Sequence, residues 1–227
     1  DMATGEVVVF IDGDDWVIPH ALAEAVRRLL AGDRDILVAD CQEYWNTTGN
    51  YTRYPEGMHW QALAEGLPLE AQRQILLRMA PFPWRKIYRR SFLERHRIRF
   101  PTGPFMFEDN PFHWEVTLKA DRFGFFREVT HVHRMDRPGQ SITGVGEKSL
   151  RIFDHYDIIR DMLGGAPAMA ALTLDDALRV KAEPTASGAA ADPLPTARIE
   201  LLRWLLNHVL WCSDRVPATR LNQAYDM

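Results

Sequence analysis

The stretch VVVFIDGDDWV, Val7 to Val17, runs core-type residues straight into three carboxylates, Asp12, Asp14 and Asp15, with only Gly13 among them. The short, continuous, β-branched run predicts a buried strand from Glu6 to Ile11. Like charges this close repel unless something positive sits among them. In an α/β sheet, sites form outside the carboxyl ends of the strands, and the aspartates follow such an end. Alternate residues of an extended segment point to the same side, so Asp12 and Asp14 can address one point. Gly13 leaves room for a ligand beside the backbone. Carboxylates plus phosphate oxygens are the ordinary way to hold Mg²⁺ or Mn²⁺, which makes a divalent cation carrying a diphosphate one answer to the charge. The competing reading is a solvated turn with Asp15 capping the next helix. That reading uses one aspartate of the three.

Outward from this tip the pattern is α/β. Pro19 to Leu30 predicts an amphipathic helix, with Pro19 in the first turn, Leu22, Ala25, Val26, Leu29 and Leu30 on one face and Gly32 as its stop. Asp35 to Ala39 predicts a second buried strand. Strand, helix, strand places the chain in the α/β class. The aromatic, turn-rich segment from Gln42 to Gly66 reads as a loop or small hairpin over the sheet. Helices are expected over Leu69–Met79, Ser91–His96, Asp109–Ala120 and Glu147–Leu163, and two short strands over Arg122–Phe126 and Glu128–His133. PFPW, Pro81 to Trp84, ends the first of these helices. The Ala- and Pro-rich run from Ala182 to Ala197 reads as a linker or mobile loop. Arg198 to Cys212 predicts a final helix whose leucine stripe is either core or a docking face for another copy. The expected organisation is residues 1–163 as the main domain, 164–197 as a flexible connection and 198–227 as a C-terminal helix and tail.

With 227 residues, nearly half of them apolar, a sizeable core can form. A net charge of −4 argues against general nucleic-acid binding. Cys41 and Cys212 form no CxxC pair, so neither a disulfide framework nor a structural zinc site is expected. No apolar run approaches the roughly 20 residues that span a bilayer.

A second acidic site lies in FEDNPF, Phe107 to Phe112. Glu108 and Asp109 stand at a helix entry, where an anion is stabilised. A carboxylate there suits a general base acting on a hydroxyl. It equally suits an N-cap. The first tip fits two enzyme classes. One is the haloacid-dehalogenase phosphohydrolase, whose motif has Thr or Val where this chain has Trp16. The other is the nucleotide-sugar glycosyltransferase.

Three segments carry a resemblance. ATGEVVVFIDGDDWVIPHAL (Ala3–Leu22), PWRKIYRRSFLERHRIRFPTGPFMFEDNPF (Pro83–Phe112) and HVHRMDRPGQSIT (His131–Thr143) resemble, in order, three stretches of family 2 glycosyltransferases. The resemblance implies a GT-A fold, Rossmann-like with a mixed sheet flanked by helices, and inverting transfer of a sugar from a nucleotide sugar. It implies that Asp12 and Asp14 are the DxD pair on Mn²⁺ or Mg²⁺, with Asp15 beside them. It implies that Asp109 takes the proton from the acceptor hydroxyl, with Glu108 adjacent. His133 is a candidate third metal ligand, since imidazole suits Mn²⁺, though a strand-end histidine need bind nothing. Arg134, Arg137 and Ser141 are candidates to meet the donor's phosphates, although a solvated charged loop reads almost as well. Trp84 and Lys86 are candidates to line the acceptor cleft, with Trp84 reading equally well as a core aromatic.

The implied donor is a UDP-sugar. The implied acceptor is a glycan or a lipid-linked hydroxyl, reached from the cytoplasm or at the inner face of the membrane. The family's first strand–helix units precede the aspartate tip and are expected upstream of this sequence. Gln140, between Gly139 and Ser141, departs from the family's pattern. A non-catalytic binding or scaffold domain remains the alternative, and a phosphohydrolase the lesser one.

Overall fold

The computed structural model describes residues 2–63, 66–102, 107–137, 150, 152–171 and 193–213. One mixed sheet organises them. Its strands are β1 (Val7–Val9), β2 (Trp16–Val17), β3 (Ile36–Trp45), β4 (Asn50–Arg53), β5 (Lys86–Arg89) and β6 (Phe123–Met135). The order is β1-β5-β3-β6-β2, with β4 also paired to β3. β3 and β6 are parallel, and the other pairings are antiparallel. The first strand is shorter than the expected Glu6–Ile11, and its neighbour is the antiparallel β5.

The pleat of β3 sorts its side chains to two sides. Leu37 and Ala39 pack with Ala21, Ala25 and Leu29 of α1 (Pro19–Ala31), while Ile36 and Val38 pack with Tyr88, Phe92, Phe112 and Val116. The second side is covered by α3 (Leu69–Arg78), α4 (Arg90–Arg95) and α5 (Asp109–Lys119), with the short α2 (Gly57–Ala62) before them. Phe10 anchors this layer, meeting Tyr88, Phe100 and Phe112 edge-on at centroid distances of 5.7, 5.1 and 5.6 Å. Such contacts add to burial.

Two expectations are corrected. Arg122–Phe126 and Glu128–His133 belong to one strand, β6, whose pairing with β3 jumps from Ala39–Phe126 to Asp40–Val129 and then to Cys41–His131. The irregularity breaks the alternation that a sequence reading follows, so one strand reads as two. The segment after Gln42 is the end of β3, which continues to Trp45 and turns into β4, followed by α2.

Beyond the sheet, α6 (Ile152–Met162), α7 (Gly165–Ala170) and α8 (Pro193–Ser213) form a helical layer with α3 and α5. Leu77, Trp114, Ile159, Leu163, Ala197 and Leu201 are its core. The final helix begins at Pro193, before the expected Arg198. Buried Glu200 of α8 accepts hydrogen bonds from Gln74 (3.1 Å) and from Arg78 Nε (3.0 Å) and Nη2 (2.7 Å), tying α8 to α3.

Candidate active site

The acidic tip lies between β1 and β2. A turn closes it, with the Asp15 amide donating to the Asp12 carbonyl at 3.1 Å. Asp15 does not cap α1. The N-cap position is Ile18 and carries no side-chain cap bond. The Asp15 side chain is instead shut away from solvent and held by β6. Its Oδ2 accepts from His131 Nε2 at 2.9 Å and His133 Nδ1 at 3.1 Å, and its Oδ1 accepts from the Arg134 amide at 2.8 Å. Burial pushes the Asp15 carboxyl up, but these hydrogen bonds outweigh it and hold the group well below the usual carboxylate range. Asp12 is exposed, and its value is raised, first by partial burial and then by the charge of Asp15.

Asp12, Asp15 and His133 bring one ligand atom each within 4.8 Å of one another. Asp14 is not part of that group. It pairs with Arg137, Nε to Oδ2 at 2.8 Å. With the Nδ1 proton of His133 directed to Asp15, Nε2 is the ring nitrogen of the right tautomer to serve as a metal ligand. Two oxygen donors and an imidazole suit Mn²⁺ or Mg²⁺, so the residues fit the expected cation. The Arg134 side chain bonds Asn46 Oδ1 at 3.0 Å. Ser141 lies outside the described residues.

His131 was not anticipated. The signal was there, because HVH places both imidazoles on one side of a strand. Of the two readings of Trp84, cleft residue or core aromatic, the structure favours the second. It is buried and stacks on His131 (4.3 Å, 22°) and His133 (5.5 Å, 5°), and Phe82 stacks on it as well (4.5 Å, 13°). Lys86 is buried too, and its Nζ donates to the Phe82 carbonyl at 2.7 Å. That bond ties the loop before β5 in place.

The second acidic site lies at the start of α5. Phe107 adopts a left-handed backbone (φ 63°), and its carbonyl accepts from the Asn110 amide at 3.0 Å. A non-glycine residue held there is strained, and the strain turns the chain into α5. Asp109 is the first residue of α5. The N-cap is Glu108, without a side-chain cap bond. Burial, then the neighbouring Glu108 charge, raises Asp109 from 3.8 to about 6. Asp109 borders a cavity of about 820 Å³ whose other walls are the loop from Met79 to Phe82 and α8. That loop is pinned from behind by Arg85, which is fully buried. Its Nη1 donates to Glu56 Oε2 at 2.5 Å and its Nη2 to the Ala80 carbonyl at 3.1 Å.

With this geometry in hand, the known relatives can be placed. Residues 1–106 match the family model described as glycosyl transferase family 2. Over 111 residues the chain is 32% identical to the putative glycosyltransferase EpsH of Bacillus subtilis (strain 168), which covers 44% of this chain and 28% of that protein. Among solved structures, S. aureus TarS 1-349 in complex with UDP-GlcNAc superposes with a TM-score of 0.57 at 20% identity, covering 79% of this chain and 48% of that one. The same TarS fragment in complex with UDP gives 0.51 at 18% identity, covering 79% and 46%. The chain therefore spans less than half the length of these relatives. The mixed sheet and its helices have the GT-A fold of these structures. The match to the family model covers just under half of the chain, its first 106 residues.

Proposed function

We propose that this chain carries the sugar-transfer machinery of a metal-dependent, inverting enzyme that moves a sugar from a nucleotide-diphosphate donor to a hydroxyl acceptor. The observation that carries the reading is the cluster of Asp12, Asp15 and His133, in which a buried carboxylate orients an imidazole beside an exposed carboxylate. Asp12 and His133 would hold Mn²⁺ or Mg²⁺, with Asp15 fixing the histidine ring and adding charge. When bound, the cation would offset negative charge on the leaving diphosphate. Arg137, already beside Asp14, would swing a guanidinium toward the phosphates. Asp109 would accept the proton of the acceptor hydroxyl as that oxygen attacks the sugar's anomeric carbon from the face opposite the diphosphate. Glu108 next to it keeps Asp109 basic enough for that role. A UDP-sugar is the donor we favour, because TarS, a neighbour of the same fold, was solved with UDP and with UDP-GlcNAc.

Calorimetric titration of UDP with Mn²⁺ tests the donor half. Binding should require the metal and vanish in Asp12→Ala, whose exposed side chain makes a folding defect an unlikely confounder. Binding that persists in Asp12→Ala would refute the assignment. A chain that binds no nucleoside diphosphate would revert to the scaffold reading.

A further inference from the structure

The helix α8 lies outside the family-matched residues, yet it walls the cavity at Asp109. Three of its residues there are aromatic: Trp204, His208 and Trp211. Their faces are held in register. The rings of Trp204 and His208 lie 4.2 Å apart, His208 Nδ1 donates to the Trp204 carbonyl at 2.8 Å, and Trp204 Nε1 donates to Asn110 Oδ1 at 3.3 Å. The last bond ties the helix to the residue after Asp109. Phe82 and Tyr54 line the same cavity, their own rings 5.0 Å apart.

The charges of the cavity are largely answered within the protein. Glu56 is paired with Arg85 at 2.5 Å, and Glu200 with Arg78 at 2.7 Å and Arg203 at 3.0 Å. This leaves one guanidinium in excess against the carboxylate of Asp109, so the site presents no concentrated charge of the kind that selects phosphate. Buried polar atoms on the lining residues also lack a protein partner: His59 Nδ1, Asp109 Oδ1 and His113 Nδ1. His113 Nε2 donates to the Leu76 carbonyl at 3.0 Å, so its Nδ1 is left as an acceptor. Groups of this kind are satisfied by hydroxyls, directly or through water.

Aromatic walls and balanced charge describe a ligand with apolar ring faces and no net charge. We infer that the cavity is an acceptor subsite for a neutral saccharide, with Trp204 and Trp211 of α8 as the faces on which its pyranose rings lie. A volume of about 820 Å³ is enough for more than one ring. The inference rests on Asp109 being the base of the transfer reaction, and it adds what the acceptor is and which residues select it. Trp204 and Trp211 are specificity-determining residues in this account. They take no part in the chemistry.

Intrinsic tryptophan fluorescence of the chain, with UDP and Mn²⁺ present, tests this by titration with cellobiose, N,N′-diacetylchitobiose, maltose and, as an anionic polyol, glycerol 3-phosphate. We expect saturable quenching by at least one disaccharide, none by glycerol 3-phosphate, and at least about tenfold weaker binding in Trp211→Ala and in Trp204→Phe. Calorimetric binding of UDP with Mn²⁺ should be unchanged in both variants. That arm also serves as the check on folding and separates this inference from the donor reading. Saturable binding of glycerol 3-phosphate in place of the disaccharides overturns the inference. So does a set of disaccharides that never saturate, or disaccharide binding that both variants leave intact. Loss of UDP binding in the unmodified chain, with disaccharide binding retained, would sink the donor reading alone.

Discussion

Replacing Asp109 by Asn should stabilise the protein while silencing transfer, and the size of the gain should depend on pH. Burial and Glu108 raise Asp109 from 3.8 to about 6. A group whose folded value lies above its unfolded one binds its proton more tightly in the native state. Between those values stability falls as pH rises, and above the higher value the whole cost of the buried charge is in force. At about 1.4 kcal/mol for each tenfold change in proton affinity, the rise corresponds to about 3 kcal/mol. The asparagine is neutral at every pH and escapes this cost. Urea denaturation of both proteins at pH 4 and pH 8 measures it. The stability of Asp109→Asn minus that of the parent should be near zero or slightly negative at pH 4 and should grow by about 2–3 kcal/mol by pH 8. Transfer by the parent should rise along an acid limb through pH 6, and the variant should lose about 10²–10⁴-fold of it. A stability difference that is the same at both pH values would refute the account of Asp109 as a carboxylate kept basic by burial. The transfer assay would then have no raised group to explain an acid limb.

Other outcomes follow from the same structure. Arg85→Leu leaves Glu56 buried without its guanidinium and should cost about 3–5 kcal/mol in urea denaturation, with much of the loss recovered in the Arg85→Leu/Glu56→Leu pair. Asp15→Asn removes the anion that orients His131 and His133, and should weaken Mn²⁺-dependent UDP binding about 10–100-fold by calorimetry while the fold persists. Burial lowers the His133 value, but the hydrogen bond and charge of Asp15 outweigh it and raise the group above 6.5. A metal must displace that proton, so Mn²⁺ binding should tighten from pH 6 to pH 8, and a pH-independent affinity would remove His133 from the ligand set.

The acidic tip was readable because a buried strand rarely ends in three aspartates without a reason, and α1 and β3 follow it with the expected periodicity. The roles within the tip were not readable. Asp12 and Asp14 alternate, which points them to one place on an ideal strand. The chain at the tip turns instead, with the Asp15 amide closing on Asp12. The partners that single out Asp15 come from positions 116 and 118 residues later. No local pattern specifies that convergence, because it depends on β2 pairing with β6 so that Trp16 faces Val132. The split reading of β6 has a similar origin, since its irregular register with β3 hides one strand behind two apolar runs. In α8 the leucines drew attention, although Leu202, Leu206 and Leu210 are exposed. The informative residues were Glu200, Trp204, His208 and Trp211, spaced at helical intervals along one face.

The stack built on Trp84 gives a physical reason for two acidic sites in one small unit. Trp84 lies against both histidines that hold Asp15, and Phe82, stacked on Trp84, belongs to the wall of the Asp109 cavity. The loop carrying Phe82 and Trp84 is fixed by two buried basic side chains, Arg85 through Glu56 and the Ala80 carbonyl, and Lys86 through the Phe82 carbonyl. Burying such groups is costly, and these are retained with partners on a loop that touches both sites. A displacement of the loop would move the histidine platform and the cavity wall together, because close-packed aromatic planes transmit shifts poorly absorbed elsewhere. Transfer between a donor and an acceptor requires that the two be held in one fixed relation, within a fraction of an ångström. A rigid aromatic connection between the proposed cation cluster and the cavity of the proposed base would meet that requirement, and its stiffness follows from burial on both flanks of the PFPW turn.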